Sequence, residues 1–335
     1  MLFYVGTQTR LGGPGIVVCK LENNQLACLG STELDNPTYV ILSSDRKKLY
    51  AISSASAEGE EGGSLVTFIV QGDSLLKQQQ YSTGTAGPCH LCLSPDGRFI
   101  YTAQYQSGTV AAFPVDPPGQ RIQLIQHQGR GPHPERQQGA HVHHVSFLPG
   151  TQRLIAIDLG LDALVCYEQD PQNGLLNQFM SWSCQPGLGP RHLVYASANL
   201  IYLLHELGSA VSVVRVDDKT FTHLQTLSTL PPLWQGENTG AAIRIKGSYL
   251  FASNRGHDSI AVLRIQPDGC LHFIDCFSCG GSTPRDFYLL PDNRILVANQ
   301  GGTVSLLNWD EKNETIRPAG NHLDIAGAVC ICPVI

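Results

Sequence analysis

Five residues suited to proton transfer and anion binding recur at equivalent positions of a repetitive chain of 335 residues. They are one histidine, three arginines and one glutamate: His143, Arg191, Glu206, Arg255 and Arg285. An imidazole exchanges its proton near neutral pH, and guanidinium groups bind anions through paired donors. Because the chain has only 22 basic residues, three arginines directed at one concave surface form a sizeable positive field. The alternative interpretation is a solvated rim of ordinary ion pairs.

The elements that must position these residues are short strands in a repeat. One landmark residue can be chosen in the second strand of each unit: Tyr4, Tyr50, Tyr101, Leu154, Tyr202, Phe251 and Leu296. Successive landmarks are separated by 46, 51, 53, 48, 49 and 45 residues. Units of this length, with turn signals such as Pro95-Asp96-Gly97 and no helical periodicity, are typical of propeller blades. The sequence therefore predicts an all-β fold, a seven-bladed β-propeller with four-stranded antiparallel blades, as a single domain over residues 1–335. A pair of β-sandwiches and a WD40 scaffold are the alternatives.

The two ends of the chain indicate how the ring closes. The first unit begins directly with a second strand, Leu2-Phe3-Tyr4-Val5, and has no first strand of its own. Residues 328–333 have the pattern of a first strand without a unit to follow it. Pairing these two segments removes an exposed sheet edge. We therefore expect the C-terminal strand, near Val329, to lie in the N-terminal blade.

Aligned repeats define two positions that should converge on one end of the central channel. The first position, at the entry of each first strand, holds Thr38, Cys89, His143, Arg191, Ala241, Arg285 and Gly327. The second, four residues past the landmark of each second strand, holds Gln8, Ser54, Tyr105, Asp158, Glu206, Arg255 and Gln300. Strand alternation predicts that neighbours such as His143 and His144 point to opposite faces.

A polar, histidine-rich stretch over residues 129–144 leads into the strand of His143. Long loops of this kind often carry function. Two histidines on one face, His141 and His143, together with Asp158 or Glu206 could chelate a metal. A purely structural loop is the other alternative. Our expectation is that no metal is bound.

Composition excludes several classes of protein. A net charge of −6 and a pI of about 6.0 argue against nucleic-acid binding and against recruitment to anionic lipid. No apolar run is long enough for a membrane span, and no secretory signal is visible. Eleven cysteines, an odd number, argue against a disulfide framework. We expect a cytoplasmic protein with reduced thiols, as a monomer or weak homodimer.

Several motifs resemble those of the lactonase family of seven-bladed propellers: Tyr4-Val5-Gly6-Thr7-Gln8-Thr9, Gly131-Pro132-His133-Pro134-Glu135-Arg136-Gln137, Gly189-Pro190-Arg191-His192, Ser253-Asn254-Arg255-Gly256-His257-Asp258-Ser259 and Val297-Ala298-Asn299-Gln300. The resemblance covers the whole chain. It implies an enzyme that acts on a lactone without metal or cofactor. In the carboxymuconate cycloisomerase branch of the family, the implied catalytic set falls on His143, Arg191, Glu206 and Arg255. The chain departs from the family pattern at Ala242, where many members carry Glu, and at Asp286, where His or Asn is usual.

The resemblance implies hydrolysis of an anionic sugar lactone to the aldonic acid, as in 6-phosphogluconolactonase. A carboxymuconate-type lactonising cycloisomerase, or a non-catalytic propeller that binds an anionic ligand or a protein, are the alternatives. In hydrolysis we expect His143, with a pKa near 6.5, to act as the base. Glu206 could orient an arginine or His143, or protonate the leaving alkoxide. The remaining candidates are expected to bind the substrate: Arg285, His192, Arg136, Asp158 and Gln300.

Overall fold

Seven antiparallel sheets make up the chain in a computed structural model that describes residues 1–54 and 62–334. The first three blades contain β1 (Leu2–Thr7), β2 (Ile16–Glu22) and β3 (Gln25–Thr32); β4 (Tyr39–Leu42), β5 (Lys48–Ser53), β6 (Ser64–Gln71) and β7 (Ser74–Ser82); and β8 (Pro88–Leu93), β9 (Phe99–Gln104), β10 (Thr109–Pro114) and β11 (Gln123–Gln126). The fourth and fifth contain β12 (Val142–Phe147), β13 (Arg153–Asp158), β14 (Ala163–Gln169) and β15 (Leu176–Ser183); and β16 (Pro190–Ser197), β17 (Leu200–His205), β18 (Ala210–Val216) and β19 (Phe221–Ser228). The last two contain β20 (Thr239–Lys246), β21 (Tyr249–Arg255), β22 (Ser259–Ile265) and β23 (Leu271–Ser278); and β24 (Pro284–Leu289), β25 (Arg294–Asn299), β26 (Thr303–Asp310), β27 (Thr315–Pro318) and β28 (Leu323–Asp324).

The predicted all-β propeller of seven four-stranded blades is confirmed. The one addition is β28, a two-residue strand that pairs with β26 in the seventh blade. Among the described residues, the helical structure is a single 3₁₀ turn, Thr9–Leu11.

Ring closure follows the prediction made from the chain ends. The C-terminal strand β29 (Ala328–Pro333) pairs antiparallel with β1, so that Tyr4 lies opposite Cys332 and Val5 opposite Ile331. The first blade is therefore built from both ends of the chain. This pairing covers the edge that β1 would otherwise expose.

The hydrophobic core is divided among the junctions between blades. Seven clusters of buried side chains are found in the described part of the chain, one at each junction between neighbouring blades. At the junction of the last two blades, Trp309 packs edge-on against Tyr249 and Phe251, with ring centroids 5.0 and 5.2 Å away. Because each blade is stabilised by its two neighbours, the inner strands are held around a central channel that polar side chains can occupy.

Within residues 1–54 and 62–334, no helix has the length and apolar character that crossing a bilayer requires. All eleven cysteines lie in this part of the chain as free thiols.

Candidate active site

A β-bulge in the inner strand of successive blades places the candidate residues in the channel. In β12 the pairing with β13 shifts by one residue between Val142 and His144, so His143 is the extra residue of the bulge. The same shift occurs in β8 at Cys89, in β16 at Arg191 and in β24 at Arg285. A bulge re-aims the side chain of the extra residue. In these four blades, the first aligned position of the sequence analysis, at the entry of the inner strand, is thus the extra residue of a β-bulge.

The bulge also corrects one expectation from strand alternation. His143 and His144 were expected to point to opposite faces of their strand, but both rings pack against His192, with centroids 5.2 Å away in each case. Both imidazoles therefore lie inside the channel.

A cavity of about 450 Å³ opens at this end of the channel. It is lined by charged residues from several blades, including five of the candidates, His143, Glu206, Arg136, Arg255 and Arg285. Its volume is within the range of small-molecule sites.

Glu206 is the centre of an ion-pair network at the base of this cavity. Its carboxylate accepts hydrogen bonds from Arg136 at 2.5 Å and from Arg191 Nε at 2.8 Å, and Arg255 lies 3.1 Å from the same carboxylate. Burial alone raises the pKa of Glu206, but Arg255, Arg191, His143 and Arg136 outweigh it and hold the pKa well below its ordinary value. Glu206 is therefore ionised and holds three guanidinium groups in fixed positions.

Arg191 lies beneath the cavity and is almost completely buried. Its Nη1 donates to the carbonyl of Ala241 and lies 3.1 Å from His192 Nε2. Burial and the charges of Arg255 and Arg285 lower its pKa to about 9. Arg191 therefore contacts Glu206 and Ala241 and does not line the cavity itself.

Arg255 and Arg285 bring more positive charge to the cavity than Glu206 compensates. In the described part of the chain, Arg285 makes no hydrogen bond and no ion pair, and burial with the charge of Arg255 lowers its pKa to about 10. The buried Nε of Arg255 likewise has no partner among these residues. One carboxylate, Glu206, faces four arginines here, so the cavity favours an anionic ligand.

His143 lies at the wall of the cavity with only 4% of its surface exposed. Burial, then the charge of Arg191, lowers the pKa of His143 well below its ordinary value, although Glu206 acts in the opposite direction. The expectation of a pKa near 6.5 is therefore wrong, because the sequence could not show the burial. The imidazole is neutral at pH 7 and is available as a proton acceptor.

Three deeper histidines, His90, His144 and His192, are the cluster nearest to a metal site. One ring nitrogen from each lies within 4.8 Å of the others, and all three residues are buried. However, the Nδ1 of His90 accepts from the backbone N–H of Val145 at 3.4 Å, which leaves the proton on Nε2. Arg191 also adds positive charge at His192. A ring nitrogen that carries a proton cannot ligate a cation, and the charge of Arg191 opposes a second positive charge at this cluster.

Removal of metal ions by a chelator tests whether these histidines hold a metal that the activity needs. Because the cavity itself offers a neutral imidazole and positive charge, we expect prolonged dialysis against a strong chelator to leave the catalytic rate of this site unchanged. The measurement is the initial rate before and after dialysis, with metal content determined in parallel. A rate lost on chelation and restored by a metal would assign a ligand role to the histidines.

The other predicted binding residues lie outside the cavity lining. His192 lines a much smaller space beneath it, beside Arg191. Gln300 borders a neighbouring cleft, and its amide donates to Gln8 Oε1 at 2.9 Å, so it reaches the cavity only through Gln8. Asp158 is fully buried and its carboxylate is occupied by other groups of the fold.

Sequence reasoning also missed part of the lining. Arg10, Asn36, Gln106 and Thr239 line the cavity from positions outside the two aligned slots. Neither repeat alignment nor motif marks them, because Arg10, Asn36 and Gln106 lie in connections whose path is set by the fold, and Thr239 begins β20 two residues before the aligned position. Gln8, Ser54, Tyr105, Thr38 and Cys89 did occupy the aligned slots but have no charge that would have singled them out.

Comparisons with known proteins agree with this geometry. A family model described as "Lactonase, 7-bladed beta-propeller" matches residues 2–333. The chain is 33% identical over 326 residues to the 6-phosphogluconolactonase of Bacillus subtilis, covering 94% of this chain and 92% of that protein. It superposes on the periplasmic gluconolactonase of Pseudomonas aeruginosa with a TM-score of 0.91 and 27% identity, covering 99% of this chain and 98% of the other. A solved protein from Lactobacillus plantarum gives a TM-score of 0.91 with 28% identity over 98% of both chains.

Proposed function

The chain belongs to the lactonase family of seven-bladed β-propellers, and from this premise we propose that it hydrolyses a phosphorylated sugar lactone, 6-phosphogluconolactone or a close analogue, to the aldonic acid. The observation that carries this proposal is a neutral histidine in one cavity with Arg255, which pairs with Glu206, and with Arg285, which has no ion pair among the described residues. The name of the Bacillus subtilis relative supports the choice of substrate.

In the proposed reaction, His143 accepts a proton from water as the water attacks the lactone carbonyl. General-base catalysis requires the unprotonated imidazole, which burial maintains here. The carbonyl oxygen gains negative charge in the tetrahedral intermediate. Arg255, whose buried Nε has no partner among the described residues, can donate to that oxygen. When the ring opens, the protonated His143 can return its proton to the leaving alkoxide.

Glu206 acts in this scheme as a positioning residue. An ionised carboxylate shared by Arg136, Arg191 and Arg255 has no proton to give to a leaving group. Of the roles considered from the sequence, we therefore propose the orientation of arginines. The negative charge of Glu206 also reduces the electrostatic repulsion among the three guanidinium groups that surround it.

The phosphate of the substrate is proposed to bind at Arg285, with Arg10 at the same cavity. Both line the cavity, and Arg285 has no ion-pair partner in the described part of the chain. A dianionic phosphate compensates their charge better than a neutral hydroxyl does.

A panel of lactones tests the substrate assignment. Acid release at constant pH is followed with gluconolactone, its 6-phosphate and an uncharged γ-lactone, after subtraction of the spontaneous rate. With a carboxymuconate, proton uptake is followed instead, because lactonisation of one carboxylate onto the double bond consumes a proton. We expect the 6-phosphate to give the highest kcat/KM. Equal efficiency with gluconolactone and its 6-phosphate would contradict the phosphate assignment, and turnover of carboxymuconate alone would assign the cavity to cycloisomerisation.

Replacement of Arg255 provides a second prediction. Arg255→Ala should lower kcat/KM for the anionic lactone by about 10²-fold, the usual loss for one donor to a developing oxyanion. Arg264→Ala is the matched control, since Arg264 is exposed on an outer part of the same blade. A loss of similar size in both variants would contradict the role of Arg255.

A further inference from the structure

Asp158 closes the base of the loop that carries Arg136. The loop spans residues 127–141 and connects the outer strand β11 to the inner strand β12 of the next blade. At its start, His127 Nδ1 lies 2.8 Å from one carboxylate oxygen of Asp158. At its end, the backbone N–H of His141 donates to the other oxygen at 2.8 Å. One buried carboxylate thus holds both ends of a loop of 15 residues, counted from 127 to 141.

The clamp has its own supports. His127 Nε2 lies 2.7 Å from the hydroxyl of Tyr167, which fixes the far side of the ring. The backbone N–H of Leu161 adds a further hydrogen bond to Asp158 at 3.1 Å. Asp158, His127 and Tyr167 are all at least nine-tenths buried. A carboxylate with this set of donors is a rigid anchor rather than a ligand for substrate.

A second fixed point lies next to Arg136 itself. Gln137 is fully buried, and its amide donates to the carbonyl of Leu159 at 2.8 Å and accepts from the backbone N–H of His133 at 3.0 Å. A Cβ on Gly160 would overlap the carbonyl of Gly139, so the loop lies directly on the turn that follows Asp158. Arg136 projects from this anchored segment to Glu206 and to the hydroxyl of Tyr105 at 3.2 Å.

We propose that Asp158 is a positioning residue that sets Arg136 against Glu206 through the 127–141 loop, and so prepares the cavity for its anionic substrate. This inference rests on the proposed function for its effect on catalysis, but not for its effect on the loop. The sequence analysis expects Asp158 to contact the substrate. The proposal instead gives Asp158 an indirect role, in which it positions Arg136.

A double-mutant cycle on the full chain tests the proposal. Asp158→Ala and Arg136→Ala should each lower kcat/KM for the phosphorylated lactone by about 10-fold, a typical effect of displaced supporting groups. The double variant should be no worse than Arg136→Ala alone, since Asp158 acts through Arg136. Asp158→Asn should restore most of the activity, because the ring of His127 can change tautomer to match the amide. Independent losses that multiply in the double variant would overturn the proposal.

Hydrogen exchange supplies a readout that does not depend on turnover. Asp158→Ala should increase exchange over residues 128–138, and Asp158→Asn should not. The matched control is Asp170→Ala, which removes the carboxylate that accepts from Gln172 at the opposite end of the same blade. Unchanged exchange in Asp158→Ala, or equal change in the control, would overturn the clamp. If the wild type shows no turnover but Asp158→Ala still increases exchange over residues 128–138, the lactonase proposal is contradicted and the clamp is established.

Discussion

His143→Gln is expected to lower kcat for lactone hydrolysis by about 10²- to 10⁴-fold, the usual contribution of a general base. Glutamine retains a polar side chain of similar length but has no proton-accepting group of comparable basicity. It is preferred to alanine because His143 is buried, so that truncation would leave a cavity. The measurement is the initial rate of acid release, with the denaturation midpoint determined for both proteins.

His141→Gln is the matched control for this substitution. The ring of His141 stacks on Tyr105 with centroids 4.5 Å apart, two positions before His143, and it does not line the cavity. We expect His141→Gln to retain activity within a few-fold of wild type. Full activity in His143→Gln with unchanged stability would place the base elsewhere, and a loss shared by both variants would indicate a disturbed loop instead.

The pH dependence of the rate gives an independent check on His143. A base with the ordinary histidine pKa of about 6.5 would retain only about a quarter of its unprotonated form at pH 6. Burial and Arg191 lower the pKa of His143, so its neutral form should persist to lower pH. We therefore expect kcat to stay nearly constant between about pH 7.5 and pH 6. A fourfold fall over this range would show that the imidazole titrates normally.

The second large effect that we expect is a fall in the free energy of unfolding in mild acid. Five buried histidines, His90, His143, His144, His192 and His205, have a lowered pKa, chiefly because of burial, with values of about 3 for His144 and His205. In the unfolded chain each titrates near pH 6.5, so the unfolded state binds more protons below that pH. Stability should therefore be intact above about pH 7 and fall as the pH drops. At pH 5.5 each histidine costs about 1 kcal/mol, and the five together on the order of 5 kcal/mol.

Such a loss is comparable to the whole stability of many domains. Urea unfolding at pH 7.5 and pH 5.5 measures it as a shift of the midpoint. His144→Gln should make the dependence on pH shallower by about one proton, whereas His223→Gln, at an exposed position on β19, should not. A midpoint that is independent of pH over this range would show that the histidines are solvated or paired in the native protein.

The fold was predictable because each blade repeats the same local signals. The landmark residues Tyr101, Tyr202 and Phe251 lie in buried second strands at nearly constant spacing, and turn residues mark the ends of those strands. The missing first strand at the N-terminus was enough to predict the pairing of β29 with β1. These features depend on local periodicity and on the need to bury one face, which one sequence displays.

The site was predictable only in outline. Repeat alignment identified His143, Glu206 and Arg255 because equivalent positions of a propeller converge on the channel. It could not show the bulges, since a bulge depends on pairing between strands. Repeat alignment also predicts Asp158 as a binding residue, because its position in the repeat is equivalent to that of Glu206. What distinguishes the two is the path of the 127–141 loop, which places different partners around each carboxylate.

The central claim is that the cavity around His143 and Arg255 hydrolyses a phosphorylated sugar lactone. It is tested most directly by the rate of acid release from 6-phosphogluconolactone at pH 7, with wild-type protein and with His143→Gln at equal concentration. The account predicts rapid ring opening by the wild type, and a rate near the spontaneous one for His143→Gln. A wild-type rate no greater than the spontaneous rate, or equal rates for the two proteins, would contradict it.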